Sequence, residues 1–165
     1  MSTLITIRGN SGSGKTVLAT KLQEKLGPNT MLISHDMIRM KILHVWGKEG
    51  VEKSLPLLIY LLQYGKVHSE YTILEGILPF TDYKSVFDAA IVEYDTNIYS
   101  YYYDLPFEET LQRHNTKPNK DDFGEADMRR WWKEKDYLTN IPERIFNKDL
   151  SLNDAISIVY NDVSS

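Results

Sequence analysis

Residues Gly9, Asn10, Ser11, Gly12, Ser13, Gly14, Lys15 and Thr16 fit the pattern G-x-x-x-x-G-K-[ST]. Each residue type has a task in that pattern. Glycines let successive backbone N–H groups turn inward as a nest for an anion. A helix starting at the end of the loop aims its positive N-terminus at the same point. Lys15 would reach the β- and γ-phosphates of a nucleoside triphosphate, and the Thr16 hydroxyl would bind Mg²⁺. A flexible turn can match such a pattern by accident, so the flanks decide. The apolar run Leu4 to Ile7 reads as a strand, and Val17, Leu18, Leu22 and Leu26 recur at helical spacing until Gly27-Pro28 stops them. Strand, glycine loop and helix in succession read as a loop that holds the phosphates of a nucleoside triphosphate.

Further acids and cations stand where such a loop would need them. Ser34-His35-Asp36 ends the second apolar run, with Arg39 one helical turn on. Ligands of open parallel sheets lie beyond the carboxyl ends of the strands. Asp36 can there take a proton from an acceptor hydroxyl, and Arg39 can fork onto an acceptor phosphate or carboxylate. The alternative is a helix cap and a solvated charge. His35 reads as an orienting or packing neighbour. Glu75 closes the third apolar run, placed to order a metal-bound water, to polarise the acceptor, or simply to end a strand in solvent. Arg113, His114, Lys117, Lys120, Arg129 and Arg130 crowd one segment among several acids. Such a run is either a solvated face or a mobile lid that brings cations over a transferring phosphoryl group and excludes water. Trp131 and Trp132 read as packing anchors, and Tyr101 to Tyr103 as strand core.

These residues need a scaffold to hold them. The 165 residues suffice for one domain with a sizeable core, taken as 1–165 with a lid at 113–130. Strands are expected at 4–7, 31–33, 71–74, 98–103 and 144–146. Helices are expected after the loop and at 38–45, 51–67, 83–92, 107–114, 125–135 and 151–159. The 125–135 helix would carry Met128, Trp131 and Trp132 on one face, and Pro56 would interrupt or begin the 51–67 helix. Alternating strands and helices predict an α/β, three-layer architecture with a five-stranded parallel sheet. The net charge of −4 argues against a sequence-blind nucleic-acid binder. The chain has no cysteine, which excludes disulfides and thiolate chemistry. Its longest apolar run is too short to span a bilayer, and no signal peptide is apparent, so a cytoplasmic enzyme is expected.

The ordered set "RGNSGSGKT", "SHDMIRMKIL", "ILEGIL", "YYYDLPFEETLQRH" and "FGEADMRRWW" resembles small bacterial P-loop kinases of the nucleoside-monophosphate-kinase-like fold. The group includes uridine-kinase-like, zeta-toxin-like and polynucleotide-kinase-like proteins, and the likeness spans nearly the whole chain. It implies Asp36 as base and Arg39 as an acceptor ligand. It makes Arg113 the first lid arginine, near the adenine or the transferring phosphate. Lys117 stands where a second lid arginine is usual, and a lysine is a point charge rather than a fork. The expectation is an ATP- and Mg²⁺-dependent phosphotransferase acting on a hydroxyl of a small metabolite, nucleoside or sugar. Its catalytic residues are Lys15, Asp36 and Arg113, with Asp36, Arg39 and Glu75 around the acceptor. The alternatives are a polynucleotide 5′-hydroxyl kinase, a zeta-toxin-like sugar-nucleotide kinase, and a nucleotide-gated switch. The acidic net charge weighs against the first, and a switch has no need of Asp36.

Overall fold

A computed structural model describes residues 1–165. Strand β1 (Thr3–Gly9) is buried along its whole length. It therefore sits at the centre of the sheet, with β2 (Thr30–Ser34), β3 (Tyr71–Gly76), β4 (Ile98–Tyr103) and β5 (Glu143–Phe146) in the order β2-β3-β1-β4-β5. All pairings are parallel; Ile7 lies beside Glu75 on one side and Tyr101 on the other. A parallel sheet must be covered on both faces, and side-chain alternation divides β1 between them. Leu4 joins Leu74, Leu58, Leu62 and Phe87 under helices α3 (Gly47–His68) and α4 (Phe80–Tyr94). Ile5 and Ile7 join Leu18, Leu22, Ala155 and Val159 under α1 (Lys15–Leu26) and α7 (Leu152–Ser164). The result is the expected three-layer α/β architecture.

The elements differ in detail from the expected ones where non-local contacts intervene. The 38–45 segment is not an α-helix. A short α2 (His35–Met37) runs into a π-helix, Ile38–Leu43, which ends at His44 in left-handed backbone (φ 55°). Helix α3 begins at Gly47 and passes through Pro56 unbroken. Pro56 forfeits one backbone bond, but Leu58 and Leu62 beyond it are fully buried and hold the helix on the sheet. Helix α5 spans Phe107–Asn115, and α6, Glu125–Trp131, stops short of Lys135. Trp132 leaves the helix with extended backbone, so it does not share a face with Met128 and Trp131. Met128 is buried, Trp131 packs edge-on against Phe123, and Trp132 packs edge-on against Phe107. Ser151 caps α7 by accepting the Asp154 N–H at 3.1 Å, as the Ser-x-x-Asp spacing implies. No helix is long and apolar enough to cross a membrane.

Candidate active site

The glycine loop joins the end of β1 to the start of α1, at the carboxyl edge of the sheet. Gly14 precedes the first helical residue with φ 99°, a left-handed value that glycine takes without strain. Gly12 serves close approach: a Cβ there would stand 2.5 Å from Thr110 O and 3.1 Å from Met128 Cε. The loop is therefore seated directly beneath α5 and α6.

Lys15 is buried, and its Nζ donates to Asn10 O at 2.9 Å and to Ser13 Oγ at 3.5 Å. Burial holds its ammonium below the usual lysine value, while Glu75 and then Asp36 pull it back up. The Thr16 hydroxyl donates to Glu75 Oε1 at 3.1 Å. Glu75 is 2% exposed and its Oε2 has no partner. Burial pushes its carboxyl above the usual range, and Lys15 opposes that shift. Thr16 and Glu75 thus place two hard oxygen donors, one of them an orphaned carboxylate oxygen, beside the loop. Hard oxygens suit Mg²⁺, so these residues fit that ion.

Asp36 lies in α2, at the end of β2, and accepts from Arg39 Nη2 at 3.3 Å. Arg39 sits in the π-helix, where its Nε is buried without a partner. A π-turn widens the helix and recurs at functional sites. His35 is 4% exposed; its Nε2 lies 2.6 Å from Tyr83 OH, which in turn lies 3.1 Å from Ser54 Oγ. Burial, with the Arg39 charge next, lowers the imidazole to about 4. A neutral, enclosed ring packs and orients, and its position beside Asp36 agrees with that role.

Arg113, on α5, donates to Ser13 O of the loop at 2.8 Å, to Glu109 Oε1 at 3.0 Å and to Lys148 O at 3.4 Å. Burial lowers the Lys117 ammonium while Glu75 draws it up, which places this lysine within electrostatic reach of Glu75 and Asp36. Lys15, Thr16, Asp36, Arg39, Glu75, Arg113 and Lys117 are therefore gathered around one edge of the sheet. Arg129 and Arg130 are not: each is exposed and paired along its own helix, with Glu125 and Asp127. His114 is buried and shares its Nε2 between Lys120 O and Phe123 O, folding residues 116–124 back on α5.

The sequence reading does not include Arg8 or its two acidic partners, Asp136 and Glu143. Arg8 is fully buried on β1, one residue before the loop. It pairs with Asp136 at 2.9 Å and Glu143 at 3.0 Å, donates to Leu78 O, and lies over the rings of Phe87 and Tyr102. A cation inside the run "LITIRG" was the available signal, since a buried charge requires partners.

No protein-family model matches the chain, and no curated protein matches it in sequence. Solved structures match it in fold. An APS kinase from Mycobacterium tuberculosis, in complex with AMPPNP and APS, has a TM-score of 0.72 at 15% identity, over 99% of this chain and 98% of that one. A tunicamycin resistance protein from Deinococcus radiodurans has 0.65 at 17% identity, covering 99% and 96%. A gluconokinase from Sinorhizobium meliloti has 0.63 at 12% identity, covering 98% and 94%. The chain has the fold of P-loop kinases.

Proposed function

We propose that the protein is an ATP-dependent phosphotransferase that moves the γ-phosphoryl group to a hydroxyl of a small metabolite, nucleoside or sugar. One observation carries the reading: a buried phosphate-loop lysine without a carboxylate partner shares its edge of the sheet with the Asp36–Arg39 pair and Glu75. In this proposal the loop amides from Gly9 to Thr16 hold the triphosphate, and Lys15 leaves Asn10 O for the β- and γ-phosphate oxygens. Asp36 accepts the proton of the acceptor hydroxyl. The acceptor oxygen forms its bond to the γ-phosphorus as the bond from that phosphorus to the β,γ-bridging oxygen breaks, and ADP leaves with the electron pair. Arg39 orients the acceptor through its guanidinium. Thr16 and Glu75 would hold Mg²⁺ or its water, and the ion supplies neutralisation of charge between the phosphates. Arg113 braces the loop, Lys117 adds positive charge over it, and 113–130 acts as the lid.

The test is transfer from labelled ATP, with Mg²⁺, to a pool of sugars, nucleosides and sugar nucleotides, run beside oligonucleotide 5′-hydroxyls. Label in the small-molecule pool is the expected result. Efficient labelling of oligonucleotides, weakening steeply with salt as counterion release requires, would replace this reading with a polynucleotide kinase. Label in neither pool, with no ATP consumed, would sink the phosphotransferase reading.

A further inference from the structure

Asn10 is the second residue of the phosphate loop, and its carbonyl accepts Lys15 Nζ at 2.9 Å. Its side chain makes contacts that phosphate binding does not require. Nδ2 donates to Lys133 O at 2.7 Å, and Oδ1 accepts the Lys133 N–H at 2.9 Å. Both ends of the amide are thus matched to both main-chain groups of a residue 123 positions away, and Asn10 is only 6% exposed. An amide carries one acceptor and one donor end, so reversing it would oppose like to like.

Lys133 begins the return arm, the stretch that leads from α6 back to the sheet. The chain leaves α6 at Trp132 (φ −60°, ψ 131°). Further on the arm is tied to the body of the sheet. Lys135 and Tyr137 reach Asp104 at 2.8 and 2.6 Å. The Asp136 N–H donates to Tyr102 OH at 3.1 Å, and the Leu138 N–H donates to Glu143 Oε1 at 2.7 Å. Those ties are to strands or to residues just beyond them. The Asn10 tie is to the phosphate loop, which also meets α6 through Gly12 and the buried Met128.

We infer that Asn10 is a positioning residue whose side-chain amide fastens the return arm to the phosphate loop, so that the arm's order follows the state of the loop. The inference rests on the loop being a phosphate cradle. Phosphate oxygens compete with Asn10 O for Lys15 Nζ. In exchange the loop amides, that of Asn10 among them, close on the phosphates, and the order this gives the Asn10 peptide is passed by its side chain directly to Lys133. Coupling of this kind is a binding free energy, and it acts in both directions.

Hydrogen exchange of the full chain tests it, with and without Mg²⁺ and a non-hydrolysable ATP analogue, alongside calorimetric affinity for the analogue. Wild type is compared with Asn10→Ala and with Asp104→Ala, which loosens the same arm from the sheet side. Asn10→Ala is expected to speed exchange at 132–138 by about 10- to 100-fold, as the loss of two hydrogen bonds implies. It should abolish nucleotide-dependent protection there and weaken analogue binding roughly 5- to 150-fold, the usual span of a coupling. Asp104→Ala should also speed exchange yet keep both the protection and the affinity. Should Asn10→Ala fail to fold, Lys133→Pro removes the same N–H donor from the other side, and the extended Trp132 backbone suits a following proline. It takes away one of the two bonds, so faster exchange, reduced nucleotide-dependent protection and weaker analogue binding are expected of it in the same direction, each smaller than for Asn10→Ala. If either clamp variant keeps wild-type affinity and nucleotide-dependent protection, the inference fails. It fails also if Asp104→Ala weakens binding equally, which makes the clamp merely structural. A wild type that does not bind the analogue overturns the cradle reading and this inference with it, whereas binding with an indifferent clamp overturns the inference alone.

Discussion

His35→Gln tests whether the residue beside Asp36 is a neutral post. In the folded chain the ring is 4% exposed, and burial with the nearby Arg39 charge holds its pKa down to about 4, from 6.5. Between those values the unfolded chain binds a proton that the folded chain refuses. Stability is then lost as pH falls through this window and is fully present above 6.5. The gap of about 2.5 units, 6.5 less about 4, corresponds to about 3 kcal/mol in all. About 2 kcal/mol of that falls between pH 7 and pH 4.5. The ring is enclosed, so solvent screening does not reduce the figure. Glu75 and Glu143, raised by burial, act in the opposite sense, because the folded chain takes up their protons first as pH falls. The wild-type slope is therefore a sum, and the difference from the variant isolates His35. Glutamine can still offer an N–H to Tyr83 OH and has no proton to gain. Urea unfolding at the two pH values, followed by tryptophan fluorescence, should show wild type losing about 2 kcal/mol more than His35→Gln. Parallel pH dependence in the two proteins would refute the argument.

Lys15→Ala should abolish nucleotide-dependent chemistry while leaving the loop backbone in place; ATP turnover at the wild-type rate would contradict the phosphate-cradle reading. Asp36→Asn should keep ATP binding and slow transfer by about 10²- to 10⁴-fold, whereas lost stability with unchanged transfer would return Asp36 to a helix cap. Glu75→Gln keeps an oxygen for the Thr16 hydroxyl but removes the charge, so a Mg²⁺ titration of activity should shift upward by roughly 10- to 100-fold; an unchanged titration would assign Glu75 to the acceptor or to structure. Arg8→Ala leaves Glu143 and Asp136 without their cation, and urea unfolding should show a loss of about 3–5 kcal/mol.

The fold could be read from the chain because its signals are local. Alternating apolar runs and helical periods located all five strands to within a few residues, and the glycine loop oriented the first strand and helix. The order β2-β3-β1-β4-β5 leaves no trace in any local period. Nor does the π-helix, since "IRMKIL" has the apolar spacing of an ordinary helix. The end of α6 was misplaced because tertiary contacts override propensity there. "RRWWKEK" is acceptable in a helix, but Asn10 claims the Lys133 main chain and Phe107 claims the Trp132 ring. Candidate site residues stand out in the sequence where a motif fixes their spacing, as from Gly9 to Thr16. Arg8 does not, because its acids lie 128 and 135 positions away.

Among the cations near the glycine loop and on its supporting elements, some are held in ion pairs, while Lys15 and Lys117 are not. Arg8 is enclosed by two carboxylates and two aromatic rings, so its charge is consumed in holding β1, the stretch before α4 and the 136–143 region together. Arg129 and Arg130 are compensated on their own helix, and Lys135 is compensated by Asp104. Arg113 is shared between Glu109 and the loop carbonyl of Ser13. Lys15, in contrast, is bonded to a carbonyl and a hydroxyl, and its acids act on it only through space. Lys117 likewise feels Glu75 and Asp36 without an ion pair. A chain of net charge −4 thus keeps positive charge free beside its glycine loop while compensating much of it elsewhere. Low dielectric strengthens such a charge toward an anion that enters and carries its own counter-ion. Two such cations converging on one glycine loop suit a compact polyphosphate.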